Sequence, residues 1–180
     1  MNRNTKIIAV AGGTAIAYLM FRTRPQITDL AKSVQNEFDI MTTGATRGER
    51  NNNPGNIRPA SYTWQGQTGV DSGPMGSYII FSTPEYGIRA IAKDLMTKYA
   101  RGLDTVREII TAYAPPSENP TESYISSVCQ SLGILSTTPL DMNDTTTLTN
   151  FVYAIIKHEN GRVIYSPSQI ADGIAMAQAG

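Results

Sequence analysis

From Ser82 to the C-terminus the chain is cut by proline and glycine into five stretches, each with apolar residues at helical spacing. Ser82 or Thr83 can cap the first, Pro84 suits its first turn, and Ile88, Ile91, Leu95, Met96 and Tyr99 form its buried stripe. Asp104 is placed to cap the second, with Val106, Ile109, Ile110 and Tyr113 inward and Pro115-Pro116 as its stop. Thr121 opens the third and Gly133 closes it. Asp144 opens the fourth, with Leu148, Phe151, Val152, Ile155 and Ile156 inward and Gly161 just past its end. Ser166-Pro167 opens the fifth, which runs through Ile170 and Ile174. Upstream, Tyr62-Thr63-Trp64-Gln65-Gly66 and Ser77-Tyr78-Ile79-Ile80-Phe81, separated by Gly- and Asp-bearing sequence, read as a small β-hairpin. A further helix is expected over Ile27–Met41. The fold class is therefore mainly α (α+β) with one small β-hairpin.

Composition removes several functions. The 180 residues allow one ordinary domain and a tail, and the formal net charge is zero, so capture of nucleic acid is not indicated. The single cysteine, Cys129, lies among Tyr124, Ile125, Val128 and Leu132, a core setting rather than a nucleophile's. The lone histidine, His158, cannot build a histidine metal site, and no Cys/His cluster or EF-hand loop occurs, so no metal is expected. Neither GxxxxGK[ST] nor GxGxxG is present, so no nucleotide cofactor is expected.

Ile7 to Phe21 is a run of fifteen residues without a charge, bracketed by Arg3 and Lys6 before it and Arg22 and Arg24 after it. As a helix it spans about 22 Å, short of the roughly 20 apolar residues of a comfortable bilayer crossing, and it would rely on the flanking cations to reach the headgroups. A cleaved signal peptide lacks its small-residue cleavage site here, and a buried core helix does not explain the basic bracket. The expectation is a single N-terminal transmembrane helix in residues 1–25, contacting the lipid bilayer through residues 7–21, with residues 26–180 as the globular domain. The charge distribution places the N-terminal side in the cytoplasm and the domain on the far side of the membrane, facing the periplasm.

Arg47 to Arg58 contains four asparagines, three arginines and one aliphatic side chain, Ile57. No core can be built from it. Asn and Gly tolerate left-handed backbone and Asn bonds nearby backbone, so the stretch reads as an ordered turn system rather than helix or strand. Asn amides and Arg guanidinia also match hydroxyls, acetamido groups and carboxylates of a polar polymer. Two other polar loops, Gln65 to Asp71 and Ser117 to Thr121, lie near aromatics, and aromatic faces beside amides suit sugar rings. Glu159 sits in the last turn of the fourth helix. A carboxylate there faces the negative end of the helix dipole, at a cost of about 0.3–1 kcal/mol, so the placement favours the neutral form that a general acid uses. On packing grounds alone it pairs with Lys157, His158 or Arg162 at the surface.

The ordered series RG-x-RNNNPGNIR, WQG, F-x-TPE-x-GIRA, TV-x-x-II, APP-x-EN-x-T and AII-x-HENG, from about Arg47 to Gly173, resembles a family of phage-encoded, virion-associated, lysozyme-like proteins. The resemblance implies a lysozyme-like fold and a peptidoglycan hydrolase of lytic transglycosylase or muramidase type, cleaving the β-1,4 bond between N-acetylmuramic acid and N-acetylglucosamine. Its partners would be peptidoglycan glycan strands and other virion proteins, its location a virion internal membrane or the host cytoplasmic membrane, and its task host entry or lysis. Such proteins carry a catalytic Glu at a helix C-terminus beside a β-hairpin. Glu159 has that place, although here the hairpin precedes the helix. Glu37 keeps the usual order, and Glu49 and Glu85 are further alternatives, the last in a helix N-terminal turn that suits a capping role. Asn51, Asn52, Asn53, Asn56, Gln65 and Asn119 would hold the glycan, with Tyr78 and Tyr124 stacking or positioning. Asp71 is the loop-borne carboxylate available for a two-carboxylate mechanism. The competing expectation is a non-catalytic virion structural or membrane protein that binds glycan or a partner protein.

Overall fold

A computed structural model describes residues 34–35, 41, 44–73, 76–117 and 119–180. One helical turn, α1 (Arg47–Arg50), precedes the strands β1 (Gln67–Gly73) and β2 (Gly76–Phe81), and five helices follow: α2 (Pro84–Ala100), α3 (Val106–Tyr113), α4 (Thr121–Leu132), α5 (Thr145–Asn160) and α6 (Pro167–Gln178). The strands pair antiparallel from Gln67↔Phe81 to Gly73↔Gly76, with an irregularity between Gln67 and Gly69. The helical fold with one small two-stranded sheet is as the sequence indicates.

The helix ends show why the punctuation works. Gly133 and Gly161 close α4 and α5 in left-handed conformation, at φ of 68° and 73°. Asp144 caps α5 by accepting from the Thr147 amide at 2.7 Å. For α3 the cap is Thr105 rather than Asp104. Thr105 accepts from the Glu108 amide and Glu108 reaches back to the Thr105 amide, which satisfies two orphan donors where a lone Asp would satisfy one.

The core is built from Ile88, Ile91 and Leu95 of α2, Ile109 and Ile110 of α3, Val128 of α4, Phe151, Ile155 and Ile156 of α5, and Ile170 and Ile174 of α6, with Ile79 and Phe81 of β2 against them. Helices α2 and α6 lie side by side, with Gly173 of α6 against Ile88. Each apolar stripe read from the sequence points into this cluster, as burial of apolar area requires.

Three expectations are corrected. No helix among the described residues is long and apolar enough to cross a membrane, so the described fold is helical with one small sheet and contains no transmembrane helix. Fifteen uncharged residues are physically short for a bilayer core of about 30 Å. Residues 7–21 themselves, and Glu37, lie outside the described residues, and of the helix expected over Ile27–Met41 only Val34, Gln35 and Met41 are described, each helical. The first strand starts at Gln67, beyond Tyr62–Gly66. Tyr62 and Trp64 sit ahead of a tight turn, where Gln67 N donates to Trp64 O at 3.1 Å and Gly66 has φ 78°. A side chain on Gly66 would collide with the Tyr86 ring. Finally, the asparagine stretch opens with the helical turn α1. Thr46 and Glu49 form a capping box there, a signal that the asparagine content masks.

Candidate functional site

The asparagine loop is held together by its own amides. Asn53, fully buried, donates from Nδ2 to the carbonyls of Ile57 and Ile79, each at 2.9 Å, and accepts from Ile57 N at 2.8 Å. Asn52, at φ 51°, donates to Phe81 O at 3.0 Å. Asn51 donates to Asp71 Oδ2 at 2.8 Å. Backbone bonds from Ile79 N to Ile57 O and from Phe81 N to Asn51 O, both 2.9 Å, hook β2 onto the loop. These three asparagines therefore shape the loop, and their amides are spent on backbone or on Asp71.

Asn56 points elsewhere. At φ 49° it turns its amide away from the loop and donates to Glu159 Oε2 at 2.9 Å. Left-handed backbone is tolerated by Asn better than by most side chains, which explains the residue type at both Asn52 and Asn56. Glu159 stands in the last turn of α5, beyond the apolar turns that anchor the helix in the core.

Glu159 and Asn56 line a cavity of about 220 Å³. Its other polar lining comes from Arg58, Asn119 and the Asp94–Lys98 pair, and its aromatic lining from Tyr62, Trp64, Tyr78 and Tyr113. Lys98 Nζ binds both carboxylate oxygens of Asp94, at 2.6 and 2.5 Å, and lies 5.5 Å from the centre of the Tyr113 ring. Tyr62 and Trp64 contact each other at 5.2 Å and 58°. Arg47 lies over Tyr78 at 4.6 Å, on the flank of the cavity.

Beside Glu159 are two phenols, Tyr124 buried and Tyr113 half-buried. Tyr113 donates to Gly55 O at 2.7 Å. Tyr124 stacks on His158, with ring centroids 3.7 Å apart and 17° between planes, and meets Tyr113 edge-on. Its hydroxyl has no partner at strict hydrogen-bond geometry, and Glu159 is its strongest charged influence. Burial first, and then the Glu159 carboxylate, raise both phenols well above the ordinary tyrosine range, so both remain protonated at any working pH.

The other expected site residues lie apart from this cavity or are otherwise engaged. Glu49 is tied into the Thr46 capping box and receives Arg162 on both carboxylate oxygens at 3.2 Å. Glu85 has its carboxyl lowered, first by the Thr83 side chain and then by its own backbone amide, as a first-turn capping residue would. Asp71 is held to about 2 by hydrogen bonds from Arg47, first, and Asn51, and it does not line the cavity. Gln65 is exposed outside it. Asn119 lines it while donating to Pro115 O at 3.3 Å. Sequence reasoning does not single out Asp94 and Lys98, whereas Arg58 closes the asparagine and arginine stretch that it does single out. The available signal is the Asp94/Lys98 spacing of four, which puts opposite charges on one face of a helix whose other face is core.

Among the described residues no group of three or more His, Cys, Asp or Glu side chains converges to hold a metal ion. The site is thus one carboxylate with an amide donor, a neutralised acid–base pair and a wall of aromatic rings.

No protein-family profile matches the chain. Protein P5 of Pseudoalteromonas phage PM2 is 38% identical to it over 140 residues, spanning 76% of this chain and 84% of that protein. The chain belongs to the family of this phage protein. Kinship over that share includes most of the described domain, and it establishes the phage association.

Proposed function

We propose that the Glu159 cavity cleaves a glycan, with the β-1,4 bond between N-acetylmuramic acid and N-acetylglucosamine in peptidoglycan as the target and lytic transglycosylase chemistry as the reaction. The observation that carries the reading is the position of Glu159: a carboxyl at a helix C-terminus, opening into a cavity lined by amides and aromatic rings. Amides and aromatic faces suit acetamido groups and sugar rings. Glu159 would protonate the leaving glycosidic oxygen as its bond to the anomeric carbon breaks. As a carboxylate it would then take the proton from the sugar's own C6 hydroxyl, which closes onto the anomeric carbon. Asn56 would keep the carboxyl oriented through both steps.

A single-carboxylate route fits the neighbours better than a two-carboxylate one. Asp71 lies outside the cavity in an Arg47 ion pair, and Asp94, inside it, is clamped on both oxygens by Lys98. The phage kinship is consistent with a task at the host wall.

The second reading, a non-catalytic phage module that binds glycan, is favoured by the pairing of every carboxylate around the site: Glu159 with Asn56, Asp94 with Lys98. Loss of turbidity from purified peptidoglycan suspensions separates the two. The full chain should clear them and the Glu159→Gln variant should not, at equal folded concentration. Co-sedimentation with peptidoglycan without release of soluble fragments by the wild-type chain would replace the enzymatic reading with the binding one.

A further inference from the structure

The residue after Glu159 has no part in the proposed chemistry, yet it is the more deeply placed of the two. Asn160 is 2% exposed, and its amide is fully engaged. Oδ1 accepts from Thr46 Oγ1 at 2.8 Å, and Nδ2 donates to Pro54 O at 2.7 Å and to Ile156 O at 3.0 Å. One side chain thus ties the end of α5 to both arms of the asparagine loop: Thr46, just before α1, and Pro54, two residues before Asn56. Gly48 completes the fit. A Cβ there would stand 2.6 Å from Asn160 Oδ1 and 3.0 Å from Asn53 O, so only glycine lets the loop come this close.

Ending the helix does not require this arrangement, because Gly161 already does so with φ 73°. What the amide adds is a fixed separation between the carboxyl of Glu159 and the loop that supplies Asn56. Its two ends face a donor and an acceptor of opposite kind, so the isosteric acid cannot replace it: an Asp oxygen would meet the Pro54 and Ile156 carbonyls.

We propose that Asn160 is a positioning residue that holds Glu159 against Asn56. The proposal rests on Glu159 being the acid only for its effect on turnover; the geometric part stands without it. Misplacement of a reacting group by about 1 Å costs on the order of 10²-fold in rate. Turnover of glycan by Asn160→Ala should therefore fall about 10- to 100-fold, with KM within about 2-fold of wild type.

The experiment uses the full chain and two readouts. The first is the side-chain amide signal of Asn56 in a two-dimensional ¹H–¹⁵N NMR spectrum, which Glu159→Gln displaces by changing its acceptor. In folded Asn160→Ala that signal should move from its wild-type position; an unmoved signal overturns the proposal. The second is kcat and KM on solubilised glycan strands, where unchanged kcat in a folded variant also overturns it. If wild type cleaves no glycan, the enzymatic reading fails while the NMR readout still decides the positioning. If Asn160→Ala does not fold, Thr46→Val removes the hydroxyl that donates to Oδ1, together with the cap it gives the Glu49 amide, and should displace the Asn56 signal in the same sense. Thr46→Ser should restore it. A Thr46→Val spectrum with Asn56 at its wild-type position overturns the proposal.

Discussion

Replacing Asn53 by alanine separates a scaffold asparagine from a glycan-binding one. Its side chain is fully buried and makes three hydrogen bonds to backbone. In Asn53→Ala the Ile57 amide loses its acceptor and becomes an orphaned buried donor, which costs about 1–3 kcal/mol. The Ile57 carbonyl keeps the Ile79 amide at 2.9 Å, so it loses one bond of two, and the Ile79 carbonyl loses its Asn53 donor. Each such loss removes about 0.5–1.5 kcal/mol. The sum is about 2–6 kcal/mol, against a typical total of about 5–15 kcal/mol for a domain. Urea unfolding of the full chain, followed by intrinsic Trp64 and tyrosine fluorescence, should show the midpoint fall at an unchanged slope. Glycan affinity per folded molecule should stay at the wild-type value. A loss below about 1 kcal/mol, or wild-type stability with weakened glycan binding, would refute the assignment of Asn53 to the scaffold.

Three further outcomes are expected. Gly87 of α2 faces the loop so closely that a Cβ would stand 2.0 Å from Asn52 O and 2.7 Å from Pro54 Cδ; Gly87→Ala should cost at least about 2 kcal/mol and lower the melting temperature by about 4 °C or more in a thermal scan. Tyr113→Phe removes the 2.7 Å bond to Gly55 O and should cost about 1 kcal/mol in the same urea assay, and an unchanged midpoint would count against that bond. Asp71 is lowered from 3.8 to about 2, so its ion pair stabilises the fold fully above about pH 4 and the contribution is lost as pH falls through 2. Allowing for its partial exposure this is on the order of 1 kcal/mol, and stability between pH 4 and 2 should fall more steeply for wild type than for Asp71→Asn.

Helix punctuation was legible because it is local. Pro84, Gly133, Asp144, Gly161 and Ser166-Pro167 each act within one turn of where they stand, and α2, α4, α5 and α6 begin or end at them. The start of β1 was not legible, because Tyr62 and Trp64 look like strand residues and are not. The strand is instead the polar run Gln67–Gly73, held by pairing with β2 and not by its own propensity. The same distinction governs the site. Glu159 stands out by its place on its helix. Asn51, Asn52 and Asn53 look alike in sequence to Asn56, and only their partners, twenty or more residues away in the chain, separate scaffold from cavity. Asp94 and Lys98 carry no more sequence signal than any helix pair at a spacing of four; what makes them part of a site is the cavity they line together with residues 55–58.

The central claim is that Glu159 is the acid of a glycan-cleaving site. It is tested most directly by mass spectrometry of the soluble products formed when the full chain is incubated with purified peptidoglycan. Wild type should release fragments ending in 1,6-anhydro-N-acetylmuramic acid, and folded Glu159→Gln should release none. Release of the same fragments by Glu159→Gln, or none by wild type under conditions where it binds the wall, would contradict the account.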